Sequence, residues 1–144
     1  MTANQSLPTV VPMIAYRDAS AALDWLAKAF GFHERNRIVM PDGSVGHAEM
    51  QVGDGGLIML AEPTPSYQGP ALHAESCEAA RAWLLVPYVI DGVLVTVDDL
   101  DEHFARARDA GATILSEPED SGYGRAYRAA DLEGHRWMFQ QRAL

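Results

Sequence analysis

The sequence predicts an α+β fold, a single domain in which two βαβββ modules form a curved mixed sheet around a cavity. The same order of strand-like and helix-like segments occurs in both halves. The helix-like segments are bracketed by Asp18 and Gly31 and by Asp98 and Gly111, with an equal separation of 13 residues at an offset of 80. A chain of 144 residues, 48% hydrophobic and 22% charged, is enough for one globular core. Within the domain, 1–144, we place module 1 at about 8–62, an insert at 63–91 and module 2 at about 92–142.

Module 1 is predicted from apolar spacing and turn residues. A helical apolar pattern begins after Asp18 or Ser20, either of which can cap a helix, and Gly31 can end it. Asp42-Gly43 and the Gly-rich turn around Asp54 separate apolar stretches and predict hairpins. The predicted strands are 10–16, 34–40, 46–52 and 57–61.

Module 2 repeats this order after the insert. Its predicted strands are 93–97, 112–116, 125–130 and 136–140, and its helix follows Asp98-Asp99 and ends at Gly111. The insert begins with a Pro- and Gly-rich loop and is predicted to contain one helix at 75–85, before Pro87. A segment of this length is expected to be a lid, a hinge for exchanging halves between subunits, or surface padding.

Charge and cysteine content exclude several classes of function. The formal net charge is −9, which gives no positive field for nucleic acid or an anionic membrane. Cys77 is the single cysteine, so a disulfide framework and a Cys-rich zinc site are excluded and a cytoplasmic protein is expected. The longest apolar run, 83–90, is too short to span a bilayer, and the amino terminus does not resemble a signal peptide.

Strand alternation predicts which side chains leave the core. If Ala48, Met50 and Val52 pack on the helices, His47 and Glu49 lie on the opposite face. The same argument applied to the other strands gives a second face that mixes large apolar and polar residues, which is typical of a small-molecule cavity. The predicted ligand-binding residues are Met13, His47, Glu49, Met59, Leu94, Arg125, Tyr127, Met138 and Gln140.

Several motifs resemble one known family. They include Tyr16-Arg17-Asp18, Pro41-Asp42-Gly43, His47-Ala48-Glu49-Met50, Tyr123-Gly124-Arg125 and Asp131-Leu132-Glu133-Gly134-His135. Together they resemble the vicinal oxygen chelate superfamily, the glyoxalase, bleomycin-resistance and extradiol dioxygenase group, in its PhnB-like or general glyoxalase-like branch. The resemblance covers nearly the whole chain outside the insert. It implies the glyoxalase/bleomycin resistance fold and a homodimer, whereas function varies widely on this fold.

The resemblance also locates the family's metal ligands, at the positions of Val11, Met59, Gly92 and Met138. Val and Gly offer no donor atom, and thioether sulfur does not suit zinc, nickel or iron(II). We therefore expect no metal and no cofactor, and a protein that binds or sequesters a small organic molecule, as metal-free members of the family do.

Three alternatives remain open from the sequence. One is a metal-free lyase or isomerase in which Glu49 or His47 is a catalytic general base. Another is a metal-dependent glyoxalase-like or dioxygenase-like enzyme with a rewired site. Its ligands would be His47, Glu49 and one of three further histidines, His33, His73 and His135. The last is an interaction module that binds another protein through its dimer surface or through an insert helix, with Trp83, Leu84 and Leu85 as apolar anchors.

Overall fold

Two four-stranded mixed sheets and four helices make up the part of the chain that the computed structural model describes, which is residues 7–86, 91–120, 122 and 124–143. The predicted α+β class is confirmed. Module 1 consists of β1 (Met13–Ala15), α1 (Ala19–Phe30), β2 (His33–Val39), β3 (Val45–Val52) and β4 (Gly56–Ala61). The insert holds α2 (Pro70–Ser76) and α3 (Glu78–Leu84). Module 2 consists of β5 (Val93–Val97), α4 (Leu100–Asp109), β6 (Thr113–Asp120), β7 (Arg125–Ala130) and β8 (Arg136–Gln141).

Each module forms its own sheet with the same topology. The strand order is β1-β4-β3-β2 in the first sheet and β5-β8-β7-β6 in the second. In both, the first strand pairs parallel with the last and the remaining pairs are antiparallel. This agreement supports the repeat predicted from element order.

Local sequence explains both long helices. The Asp18 side chain accepts a hydrogen bond from the backbone N–H of Ala21, and Gly31 ends α1 in the left-handed region at φ 78°. Asp99 caps α4 in the same way, through the backbone N–H of Glu102. The predicted caps at Asp18 and in the Asp98-Asp99 pair are therefore confirmed, with Asp99 as the capping residue of the pair.

The insert contains two helices, and the prediction of a single helix at 75–85 is wrong. Cys77 has an extended backbone and separates α2 from α3. Ser76 and Cys77 are weak helix formers, whereas Pro70 is favourable in the first turn of a helix, so a separate helix starts earlier than expected. The predictions that involve Pro87 and the rest of the run 83–90 fall on 87–90, which lie outside the described residues. Among the described residues no helix has the length and hydrophobicity that a bilayer crossing needs.

The two sheets pack on one shared layer of helices. Phe32 directly precedes β2, which is the edge strand farthest from β1, yet its ring lies 5.3 Å from that of Trp137 on β8. The Phe30 ring at the end of α1 lies 4.8 Å from that of Phe139. The helices also contact each other directly, since the Trp25 indole N–H donates to the Ala110 carbonyl at 3.1 Å. The helix-covered faces of the two sheets therefore contribute to a single core, and the opposite face of each sheet lies away from it.

A buried carboxylate joins the modules. Asp131, only 5% exposed, accepts hydrogen bonds from the Tyr16 hydroxyl, the Trp137 indole N–H and the backbone N–H groups of Glu133 and His135. Burial and the Asp131 charge both raise the pKa of Tyr16, so this phenol stays protonated and remains a donor. Four donors converging on one carboxylate are what makes its burial tolerable.

Replacing Asp131 by Asn is expected to lower the free energy of unfolding by about 3 kcal/mol. The amide NH₂ is itself a donor, so at least one buried N–H or O–H group that the carboxylate accepted from would be left without an acceptor. Tyr16→Phe, which removes one donor and leaves the carboxylate with three, should cost about half as much. Urea denaturation of both variants measures this. Equal urea midpoints for Asp131→Asn and the wild type would contradict the role given to the carboxylate.

His103 on α4 is held in its neutral form. Its Nε2 lies 2.9 Å from the Phe30 carbonyl oxygen, which can only accept, so Nε2 carries the proton and Nδ1 accepts from the Tyr127 hydroxyl at 2.6 Å. Burial lowers the His103 pKa below its ordinary value, and the nearby Arg106 charge adds to this, although the bond to Phe30 opposes it.

This environment predicts a pH dependence of stability. Since the folded-state pKa is lowered, the unfolded chain takes up the proton first, and stability present above the ordinary His pKa of 6.5 is lost as pH falls below it. The expected slope is up to about 1.4 kcal/mol per pH unit. Urea denaturation between pH 5 and pH 8 measures it, and His103→Gln should flatten the profile in that window. An unchanged profile in the variant would show that another group is responsible.

Candidate functional site

The outward faces of the two sheets carry equivalent rows of side chains. In the first sheet, strand pairing aligns Met13, Met59, Glu49 and Asn36. In the second sheet it aligns Leu94, Met138, Arg128 and Ser116. Each row thus starts with two large apolar residues and continues with a charged one, which is Glu49 in module 1 and Arg128 in module 2. We call these the first and the second outer face.

The first outer face contains the predicted His47 and Glu49 in direct contact. The His47 Nε2 lies 3.0 Å from the Glu49 Oε2, and an Nη of Arg35 lies 3.9 Å from the other carboxylate oxygen. The Glu49 side chain is only 14% exposed. Sequence alternation placed both residues on this face correctly, because Ala48 and Met50 between and beside them are fully buried. The carboxylate already has an imidazole and a guanidinium as neighbours within its own module.

The second outer face has a small apolar pocket. Its cavity volume is about 250 Å³, and its walls include Leu94, Leu115 and Met138. Arg128 also lines it, and the Nε of this side chain is buried without a hydrogen-bond partner among the described residues. Next to Met138 along β8, Gln140 donates from its amide to the Thr96 hydroxyl at 3.0 Å, so this predicted residue lies on the same face.

The predicted orientations of Arg125 and Tyr127 are wrong. Tyr127 pairs with Phe139, is fully buried and bonds to His103, so it belongs to the core under α4. Arg125 has the same orientation and its guanidinium lies 2.6 Å from Asp101 on α4. Burial raises the Tyr127 pKa, as expected for a core phenol. The motif containing Tyr123 falls partly outside the described residues.

Sequence reasoning missed Arg128, which takes the place expected for Arg125. Strand β7 carries alanines on both faces, so alternation within it gives no clear inside and outside. Only its pairing with β8, where Arg128 lies opposite Met138, assigns the faces. The size of Tyr127 was the one available signal, because a large aromatic ring in a small domain favours the core.

The two outer faces belong to two separate sheets. The sheets are not closed onto each other, and the group at Met13, His47, Glu49 and Met59 lies on the first sheet, whereas the group at Leu94, Met138 and Gln140 lies on the second. Met13 is 81% exposed and Leu94 is 55% exposed. One chain therefore provides two open half-sites, one on each sheet.

The donor set does not fit the metal that the fold family implies. The resemblance to the family places its metal ligands near four residues: Met59 and Met138 present thioethers there, and Val11 and Gly92 present no donor atom. Nor do the described residues contain a cluster of three or more His, Cys, Asp or Glu side chains arranged to hold a metal ion. Of the histidines considered for a rewired site, His135 instead contacts the Ala15 carbonyl through Nε2 at 2.7 Å.

The chain is similar to known proteins over nearly its whole length. The family model for the Glyoxalase/Bleomycin resistance protein/Dioxygenase superfamily matches residues 8–139. A protein of Mycobacterium bovis and one of Mycobacterium tuberculosis, both described as uncharacterized, are each 32% identical to this chain over 139 residues. These alignments cover 93% of this chain and 83% and 74% of the two relatives.

Solved structures show the same fold. TioX from Micromonospora sp. ML1 is 34% identical with a TM-score of 0.66, covering 95% of this chain and 98% of TioX. A bleomycin-binding protein complexed with bleomycin is 16% identical with a TM-score of 0.63, covering 94% and 99%. TnmS3, an antibiotic-binding protein from Streptomyces sp. CB03234, is also 16% identical with a TM-score of 0.63, covering 96% and 99%. At 16% identity, the last two show the shared fold only.

Proposed function

The chain belongs to the Glyoxalase/Bleomycin resistance protein/Dioxygenase superfamily, and from that premise we propose that it binds or sequesters a small organic molecule without a metal. The binding cavity lies between the first outer face of one copy and the second outer face of another. The protein is thus a homodimer with two equivalent cavities, and it works in the cytoplasm, where its single cysteine stays reduced.

The observation that most supports this proposal is the exposure of large apolar side chains on both outer faces of one chain. Leaving Met13 and Leu94 in water is unfavourable, because burying a side chain of this size contributes about 1.5 to 3 kcal/mol. Both residues start the equivalent rows in their sheets, so one pairing of faces covers both. Flexible methionine side chains on each wall suit a cavity that adapts to its ligand.

Charge favours pairing unlike faces. Glu49 and Arg128 occupy equivalent positions in the two rows, so a cavity made from one first and one second outer face has a carboxylate on one wall and a guanidinium on the other. Two copies of the same face would instead place like charges opposite each other, which is unfavourable. A twofold axis that brings unlike faces together forms both cavities at once and closes the assembly.

Structural neighbours support a ligand of natural-product size. One is described as binding bleomycin and another as binding an antibiotic, on the same fold as this chain. Fold alone does not assign a ligand, so the support is for the type of cavity and not for a particular compound.

A panel of bleomycin, other antibiotics and small aromatic metabolites tests ligand binding by the melting temperature of the purified full chain. At least one compound should raise it, because a molecule that binds only the folded state stabilises that state. Met138→Glu, which adds a charge to the second outer face, should abolish the shift, whereas Leu132→Glu in an exposed turn should not. A panel that leaves the melting temperature unchanged throughout contradicts the proposal.

The dimer is tested separately by sedimentation equilibrium. Leu94→Gln should weaken the dimer at least about tenfold, because ~1.4 kcal/mol of lost burial corresponds to that factor. Leu132→Gln, which alters another exposed leucine away from both outer faces, is the matched control and should leave the dimer constant unchanged. A wild-type chain that stays monomeric over a 100-fold range of micromolar concentrations would refute the shared cavity.

A second candidate function rests on the 3.0 Å contact between His47 and Glu49. A carboxylate beside an imidazole can remove a proton from an acidic C–H or O–H group, as in a metal-free lyase or isomerase. If a compound from the panel is turned over, Glu49→Gln should reduce kcat by a factor of about 100 or more, in line with the usual size of acid–base contributions. Unchanged turnover in that variant would leave binding as the only role of this pair.

A further inference from the structure

We propose that the bound molecule carries a planar oxyanion, such as a carboxylate, which Arg128 binds, and a compact apolar body that fills the pocket formed by Leu94, Leu115 and Met138. This inference rests on the proposed function and assigns the chemical class of ligand to its cavity. It also assigns a binding residue, Arg128, on the outer face of β7.

The position of Arg128 follows from strand register. It lies opposite Met138 on one side and Ser116 on the other, so its side chain leaves the sheet on the second outer face, with the apolar wall beside it. The residue is half-buried and its Nε has almost no contact with solvent. A buried guanidinium N–H with no acceptor is unfavourable, by the desolvation of a charged donor that nothing replaces.

Other arginines on the two modules have partners that explain them. Arg125 pairs with Asp101, and Arg37 forms a two-pronged contact with Glu34. Arg136, which also lines the pocket, donates to the Trp83 and Val86 carbonyls and holds the end of α3. Arg128 differs because no acceptor within the described residues reaches its buried Nε.

The missing acceptor defines the chemistry of the ligand. A guanidinium binds a carboxylate through two parallel N–H···O hydrogen bonds. The Arg128 Nε is shielded from water and lacks an acceptor among the described residues, so it becomes one of the two donors when the Arg128 side chain turns toward the ligand. In a pocket with mainly apolar walls these bonds are little weakened by water. Asp91 also lines the pocket, but the two guanidinium groups of Arg128 and Arg136 leave an excess of positive charge there.

The opposite wall is not expected to supply the acceptor. In the proposed dimer that wall carries Glu49, whose two carboxylate oxygens already face His47 and Arg35 of its own module. A ligand acid therefore has little competition from the protein. The cavity volume of about 250 Å³ in one half-site fits the apolar part of a small aromatic acid, or one acidic substituent of a larger compound.

The experiment compares matched acids and amides by isothermal titration calorimetry with the full chain at pH 7.5. The pairs are 2-naphthoate with 2-naphthamide and benzoate with benzamide, which differ in charge and hardly in shape. We expect the wild type to bind each acid at least tenfold more tightly than its amide. Arg128→Met should reduce that ratio to about one, and Arg128→Lys, which keeps the charge but not the two-pronged geometry, should give an intermediate ratio.

Arg125→Met is the matched control, because it removes an arginine from the same strand whose side chain faces α4. Its acid-to-amide ratio should equal that of the wild type. Folding of Arg128→Met is checked by its melting temperature without ligand, which should match or exceed the wild type, since the substitution removes a buried unpaired donor.

Several outcomes overturn the inference. Equal binding of acid and amide by the wild type does so, as does a preference that survives in Arg128→Met. A weakened dimer in Arg128→Met with an unchanged ligand preference also overturns it, because Arg128 would then pair with the second copy. In each of these cases neutral compounds still bind, so the proposed function stands. Failure of every acid, amide and antibiotic to bind would instead remove the proposed function as well.

Discussion

The shared core between the two sheets is the constraint on which the rest of the structure depends. Both modules bury the same face, and they bury it against the same pair of helices, with Phe30, Phe32, Trp137 and Phe139 in mutual contact at the centre. Once those faces are used, the opposite face of each sheet remains open. The core fills the space between the helix-covered faces of the two sheets, so that space is not available to a ligand.

Polar groups inside this core hold the modules in one relative position. Asp131 receives donors from both modules, since Tyr16 precedes α1 and Trp137 lies on β8. His103 on α4 reaches the end of α1 through the Phe30 carbonyl. Apolar packing alone leaves the relative position of two surfaces loosely defined, but buried donors and acceptors must meet at defined distances, so these contacts fix how the two modules are placed against each other.

The duplicated topology gives each outer face the same framework and lets the residues on it diverge. At one equivalent position, module 1 has Glu49 and module 2 has Arg128, and the two differ in how they are satisfied. The carboxylate has neighbours within its own sheet, whereas the guanidinium Nε has none among the described residues. A binding cavity with one satisfied wall and one unsatisfied wall is selective, because only the unsatisfied group gains a new bond from the ligand.

The amino-acid sequence by itself determined the order of elements, the helix caps and most of the face assignments. These depend on short-range periodicity and on turn residues, as at Asp18, Gly31 and Met50. It did not determine the orientation of β7, where alanines on both faces remove the alternation, so Tyr127 lies in the core and Arg128, which was not predicted as a site residue, lies on the outer face. The break of the insert at Cys77 was missed, although Ser76, Cys77 and Pro70 are local signals for it. The sequence also did not determine how the two sheets pack on one core. That packing is decided by contacts between residues far apart in the chain, such as Phe32 with Trp137, which no local pattern encodes.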